Sequence, residues 1–498
     1  MNKKKAQAPL IANNSYSPNH TRKGTYAMTI ISQTDRDFQR ATDTVSIFLR
    51  TFHVASLLRA VGAAKQKGVA VMDIFRFILS NVFTGRSMYR QMLSKAFDDG
   101  FSKNACYRFL IDARINWTRF TVTLSALIAE KVRPLTEENR ADAFIVDDTL
   151  YERTSVKRTE LAARVFDHNE HRYKKGFRLL TLGWSDGTSF LPIASRLMSS
   201  KDDKKVLGTL PELDMRTTAG KIRAQARRKM TGVMVELLRD AIKAGHKAKY
   251  VLFDRWFSSP AQIKAIKALE KDKALCDGNG AKLDVIAAIK KGSKTQYLFE
   301  GKPMTVRQIF RQQKKRRGRS RYLLSVDVEI PGEERIPARV VCVRNRANRK
   351  EWIAILCTDM EKSPEDIIAI YGKRWDIEVF FKACKSFLWL GKECHSLSYD
   401  ALTAHVAFVF TRYLMLALAK RESEDARSLG GLFYLVVDEM RDKTFNESVL
   451  LILDSLLASV EDALHPSERQ MGELLTSFFT KLPDHIQRCL AGHVASCV

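Results

Sequence analysis

The apolar positions of this chain change period twice. From about Asp37 to Arg133 they recur every three or four residues, as in Val54, Leu57 and Leu58, then Val71, Ile74, Phe75, Phe77 and Ile78. That is the spacing of amphipathic helices. Short uninterrupted apolar runs replace it at Ala143-Phe144-Ile145-Val146 and at Tyr250-Val251-Leu252-Phe253, the pattern of strands buried on both faces. Between them, Phe177 to Trp184 and Ser189 to Ile193 flank Ser185-Asp186-Gly187, which predicts a hairpin and its turn. A basic helix is expected over about Ala219–Ala244. Another follows Asp254, capped by Ser258 or Ser259, and Asp284–Ile289 reads as a further strand. The pattern from Ser293 to Thr358 is β-like, including Tyr322–Val326 and Arg339–Val343. Long helices resume at Pro364. Residues 1–36 have no period and many Asn, Ser, Thr, Lys and Pro residues, so they predict a flexible tail.

A chain of 498 residues exceeds one compact core and predicts two to four domains. Lys and Arg number 83 against 56 Asp and Glu, a net charge of +27. Such an excess favours a polyanion, because neutralised phosphates release condensed counterions. The basic residues Arg76, Arg86, Arg90, Lys103, Arg108, Arg114 and Arg119 decorate the N-terminal helical segment. That segment suits either duplex binding through a helix in the major groove or an ordinary solvated bundle. The eight cysteines contain no C-x-x-C pair, which argues against a zinc finger and a disulfide framework. One stretch, Ala401–Ala419, is apolar enough for a membrane span, but His405 and Arg412 interrupt it. A core helix is expected there, and no membrane partner.

Chemistry concentrates at three places. Asp148 and Asp254 each end a predicted strand, where α/β sheets collect ligands and catalytic groups, although Asp also ends strands as a turn former. The third is a predicted helix carrying Tyr371, Arg374, Glu378 and Lys385, at offsets 0, 3, 7 and 14. At about 100° per residue these four share a stripe about 60° wide. Ile377 and Phe381 lie beside that stripe, so it packs inward. A carboxylate there needs a cation or metal ion for compensation; a solvated Arg374–Glu378 pair is the plainer alternative.

The motif Tyr-(2)-Arg-(3)-Glu-(6)-Lys resembles the YREK signature of the bacterial insertion-sequence transposase family numbered four. Asp148-Thr149 is similar to that family's first "D-T" strand end, and Phe253-Asp254-Arg255-Trp256 to its second. The 124 residues from Asp254 to Glu378 resemble its β-rich insertion. The resemblance covers about Phe144 to Gly391. It implies an α/β fold: an RNase H-like mixed-sheet core interrupted by the insertion and flanked by helical regions.

The implied domains are the tail 1–36, a helical DNA-binding domain 37–135, core 136–292, insertion 293–360, the closing YREK helix 361–395, and a helical region 396–498. Asp148, Asp254 and Glu378 would be catalytic and would bind two Mg²⁺ ions, with Mn²⁺ able to substitute. Strand alternation lets only one of Asp147 and Asp148 face the site; Thr149 favours Asp148. Tyr371, Arg374, Lys385 and Arg255 would contact DNA, and Trp352, or less directly Trp256, would stack on a base flipped from the DNA end. The implied protein is a bacterial, cytoplasmic, nucleoid-associated DDE transposase. It would act on double-stranded terminal inverted repeats and target DNA as a homodimer, with Val449–Leu453 a possible contact or plain core. Its steps would be nicking by water, hairpin formation by the freed 3′-OH, hairpin opening and joining to target. An inactive DNA-binding protein of transposase ancestry and a non-joining metal-dependent nuclease are the alternatives.

Overall fold

The structure is a computed structural model that describes residues 44–482 apart from 66, 86–87, 89–101, 137–139, 168–169, 273–274, 276–281, 293, 318–319, 346–350, 423–427, 438–455, 458 and 461–462. The expected tail 1–36 and the apolar stretch Val449–Leu453 lie outside the described residues. The chain divides into two compact units, one covering residues 43–442.

Among the described residues, helices α1 (Thr44–Thr51), α2 (Val54–Ala60), α3 (Val71–Ser80), α4 (Lys103–Leu110) and α5 (Trp117–Val132) open this larger unit. Asn116 caps α5 by accepting the amide of Arg119 at 2.9 Å, which satisfies one otherwise orphaned helix donor. The apolar stripes of α3 and α5 bury Phe75, Trp117 and Phe120, whose ring cluster meets Phe408 of a later helix. Residue 135 is therefore not a packing boundary: these helices share one core with the later part of the unit.

The strands are β1 (Ala143–Glu152), β2 (Ala163–Asp167), β3 (Arg172–Ser185) and β4 (Phe190–Met198). Gly187, at φ 89°, makes the β3–β4 turn with a backbone that other residues rarely adopt. The predicted basic helix is two, α6 (Thr218–Ala226) and α7 (Met230–Lys243). Next come β5 (Tyr250–Phe253), α8 (Pro260–Lys267) and β6 (Asp284–Ile289). Ser259 is the cap of α8, accepting the Gln262 amide at 3.2 Å. The β-like region supplies β7 (Tyr297–Phe299), β8 (Lys302–Met304), α9 (Val306–Gln312), β9 (Leu324–Ile330), β10 (Ile336–Arg344) and β11 (Trp352–Cys357). The helices α10 (Pro364–Gly372), α11 (Trp375–Ser386) and α12 (Tyr399–Glu422) then complete the unit's main elements. The other unit includes α13 (Glu468–Lys481).

Among the described residues the eleven strands join in one mixed sheet, ordered β2-β3-β1-β5-β6-β11-β10-β9-β7-β8, with β4 also paired to β3. Strands β1, β5 and β6 run parallel at its centre, and the remaining pairings are antiparallel. The β-rich segment thus extends the central sheet through the β6–β11 pairing. The apolar runs explain the centre: every residue of β5 and β6 is buried, as strands covered on both faces require.

One helix, α12, is long and apolar enough to cross a membrane, and 94% of its most apolar window is buried inside the fold. Arg412, in the middle of that helix, is itself fully buried. It donates to the carbonyl oxygens of Leu79 (2.9 Å) and Ile78 (2.5 Å) at the end of α3 and to Glu393 Oε2 at 2.6 Å. The described cysteines Cys106, Cys342, Cys357, Cys384 and Cys394 are buried free thiols.

Candidate active site

The parallel β1–β5 pairing aligns Val146 with Phe253. One residue further on, at the C-terminal ends of this pairing, stand Asp147 and Asp254. Parallel neighbours in register point to the same face, whereas successive residues of one strand alternate. Asp147, not Asp148, is therefore on the face of Asp254.

The side chains agree with the register. Asp147 Oδ2 accepts from Arg374 Nη1 at 3.1 Å, and Arg374 Nη2 also donates to Glu378. One guanidinium thus joins strand β1 to helix α11. Asp148 is instead neutralised by Arg178 of β3, and its side chain is only 7% exposed. The sequence favours Asp148 only on the ground of the threonine after it. Pairing geometry, which a single sequence does not display, puts Asp147 rather than Asp148 on the face of Asp254 and against Arg374.

Burial pushes the Asp147 carboxyl up to about 7; Arg374 and the Asp148 amide oppose the rise, and Asp148 and Asp254 add to it. The same crowding acts on Tyr371. Burial raises its phenol to about 12, against Arg374 and together with the charge of Asp254. Arg374 is held charged: burial works against it, but Tyr371, Asp147 and Glu378 more than offset that. Asp254 Oδ1 accepts the amide of Trp256 at 2.7 Å, which fixes the turn after β5. Lys385 donates to Thr149 Oγ1 at 2.7 Å. Burial lowers the pKa of its ammonium, and Arg178 lowers it further.

The predicted single helix through these residues is two. Gly372 ends α10, and the amides of Lys373, Arg374 and Asp376 bond three residues back, at 3.1, 3.0 and 3.0 Å. This 3₁₀-like joint at a poor helix former separates Tyr371 from Glu378. The joint is anchored to the β3–β4 turn. Ser185 Oγ donates to Asp376 Oδ2 at 2.6 Å, and Lys373 binds the carbonyl oxygens of Ala141 and Asp186. The Arg374–Glu378 pair exists, as the plainer alternative required. It is not a solvated one, since Arg374 is 17% exposed and also holds Asp147.

Two expected DNA contacts lie outside this cluster. Arg255 is exposed beside Asp254. Trp352 begins β11, with its ring stacked on Phe310 at 4.1 Å between centroids and 15° between planes. Sequence reasoning missed Arg178 as a site neighbour, and used Thr149 only as the residue that marks Asp148. The signal for Arg178 was its interruption of the apolar run of β3, opposite Leu150 in the pairing.

The donor chemistry of Asp147, Asp254 and Glu378 is hard carboxylate oxygen, which suits Mg²⁺ or Mn²⁺. Among the described residues, however, no three acidic, histidine or cysteine groups converge closely enough to hold an ion as they stand. Arg374 stands between two of the three.

Two family models match the chain. A DDE superfamily endonuclease model covers residues 81–272, and a transposase DDE domain model covers residues 222–415. The first spans Asp147 and Asp254, and the second Asp254 and Glu378. Together they support a DDE transposase relationship and a nuclease-type enzyme. No curated protein matches the chain.

Proposed function

We propose that this protein is a DNA transposase that cleaves transposon ends and joins them to target DNA at a site built from Asp147, Asp254 and Glu378. One observation carries the reading. Asp147 and Asp254 stand one residue past the same register pair of neighbouring parallel strands, and one arginine joins Asp147 to Glu378 of α11, within the segments that the DDE models match. An RNase H-like core is part of the same proposal. So are a divalent metal requirement and pairing of two DNA ends by a dimer.

The chemistry exchanges one P–O bond for another, by water or by a 3′-OH, and needs no redox partner. Divalent ions bound by the three carboxylates would activate the attacking oxygen and stabilise the leaving one. Arg374 is already charged and planar, so it can exchange carboxylates for a phosphate in bidentate fashion. That exchange releases Asp147 and Glu378 together. Tyr371, with its phenol near 12, stays protonated at neutral pH and donates a hydrogen bond. Lys385 offers a point charge beside Thr149. Under this reading the freed 3′-OH forms a hairpin with the opposite strand before joining.

The test is cleavage of DNA carrying the sequences that flank the reading frame, in Mg²⁺. Wild type is expected to give nicks, hairpins and joined products, and Asp254→Ala none. Asp147→Asn should fall by on the order of a thousandfold, while Asp148→Asn stays within about tenfold. Absence of all products from wild-type protein that binds the DNA rejects the enzyme. Loss in Asp148→Asn with retention in Asp147→Asn rejects the ligand assignment.

A further inference from the structure

The joint between α10 and α11 leaves the carboxylate site with a mechanical problem. Gly372 and hydrogen bonds that reach only three residues back interrupt the helical ladder there, so α10 does not fix the direction of α11. Apolar packing starts further on. Ile377, Phe380, Phe381 and Cys384 are buried, and Phe380 meets Phe190 of β4 with ring centroids 5.0 Å apart. The first turn of α11 lacks such cover, since Trp375 is 61% exposed. Arg374 stands at the head of that turn, and Glu378 follows one turn later.

Polar contacts to the β3–β4 turn hold this end instead. Lys373 and Arg374 are neighbours whose charged groups go to different partners. The Arg374 guanidinium binds Asp147 and Glu378, whereas the Lys373 ammonium donates to the carbonyl oxygens of Ala141 and Asp186. A lysine that served DNA would keep its ammonium for phosphate; this one commits it to backbone beside the start of β1. Asp376 accepts from Ser185 Oγ at 2.6 Å, and that oxygen accepts the Gly187 amide at 2.9 Å. A β-carbon on Gly187 would stand 3.0 Å from Lys373 Cε, so the close approach calls for glycine as the positive φ does. The turn is a firm support. Asp186 is fully buried; its Oδ1 accepts the amides of Thr188 and Ser189 at 2.8 and 2.7 Å. Its Oδ2 accepts the Thr136 hydroxyl at 2.6 Å and Arg421 of α12 at 3.1 Å. The turn also continues β3, in which Thr181 pairs with Asp147. One strand thus runs from beside Asp147 to the socket that holds the joint.

We propose that Lys373 and Asp376 are positioning residues: seated in the β3–β4 turn, they set the N-terminal end of α11 so that Arg374 and Glu378 meet Asp147. Misplacing a reacting group by about 1 Å costs on the order of a hundredfold in rate, so the clamp matters more to the site than to the fold. The inference rests on the reading of Asp147, Asp254 and Glu378 as metal-binding carboxylates, and its test needs no cleavage. Mn²⁺ binding to the full-length protein is followed by the electron spin resonance of the free ion. Lys373→Met keeps an aliphatic stem against Gly187 and removes the ammonium. Loss of a positive charge alone would tighten binding of a dication. Loss of position should weaken it about tenfold, and Lys373→Arg, which keeps N–H donors, should bring it back to within about threefold of wild type. The Lys373→Met effect should vanish in a Glu378→Gln background, because the lysine acts through that carboxylate. Ser185→Ala, which releases Asp376 from the turn, should weaken binding about threefold. DNA affinity in EDTA should stay within about twofold in each Lys373 and Ser185 variant. Unchanged or tighter Mn²⁺ binding in Lys373→Met overturns the positioning role, and so does an effect of equal size in the Glu378→Gln background. A loss of DNA affinity of about tenfold or more in Lys373→Met also overturns it, by making the lysine a DNA contact. Wild-type Mn²⁺ binding that is indifferent to Glu378→Gln rejects the metal-site reading itself.

Discussion

Asp147 is the residue on which the site turns, and its environment has a measurable consequence. A carboxyl whose pKa rises on folding binds more protons in the native state than in the unfolded one between its two values. Folded stability is then full below about 3.8 and is lost as pH rises through about 7. Asp147→Asn removes that loss. In metal-free buffer at pH 8 the variant should be more stable than wild type by roughly 1–3 kcal/mol, with no gain at pH 4. Urea unfolding in EDTA at the two pH values measures this. Equal stability at pH 8 contradicts the strained carboxylate. Added Mg²⁺ should narrow the pH 8 difference, because only wild type gains from binding it.

At the scale of elements, the helices around the sheet are held by a few buried polar contacts as much as by apolar packing. Arg412 of α12 joins the end of α3 to Glu393, and both side chains are largely withdrawn from water. Arg412→Ala leaves Glu393 buried with one cation fewer, and two helix-end carbonyls without their donor. Destabilisation should be about 3–5 kcal/mol, read as a lowered denaturant midpoint. A change below about 1 kcal/mol would mean that α12 is held by packing alone. These contacts mark where sequence reasoning stops. Apolar runs revealed β1, β5 and β6, and the hairpin turn was visible in Ser185-Asp186-Gly187. The break at Gly372 was hidden by good helical periodicity on both sides of it. The choice between Asp147 and Asp148 depends on which neighbour β1 pairs with, a long-range fact. The joining of β11 to β6 is likewise invisible in either strand alone, and so the β-rich segment read as a separate insertion.

Across the larger unit, one sheet carries the carboxylate pair, at the C-terminal ends of the β1–β5 pairing. A backbone hydrogen-bonded from β1 through β5 and β6 to β11 gives it the rigid elements that a site requires. The net charge of +27 favours DNA without sequence preference; under the proposed function the carboxylates decide what happens to it. The central claim is that Asp147, Asp254 and Glu378 together hold divalent metal. The most direct measurement replaces Mg²⁺ by Fe²⁺ with ascorbate and maps where hydroxyl radicals cut the polypeptide. Cuts beside residues 147, 254 and 378 that Mg²⁺ suppresses and Asp147→Asn abolishes are the predicted result. Cuts elsewhere, or a pattern that Asp148→Asn removes and Asp147→Asn leaves intact, would contradict it.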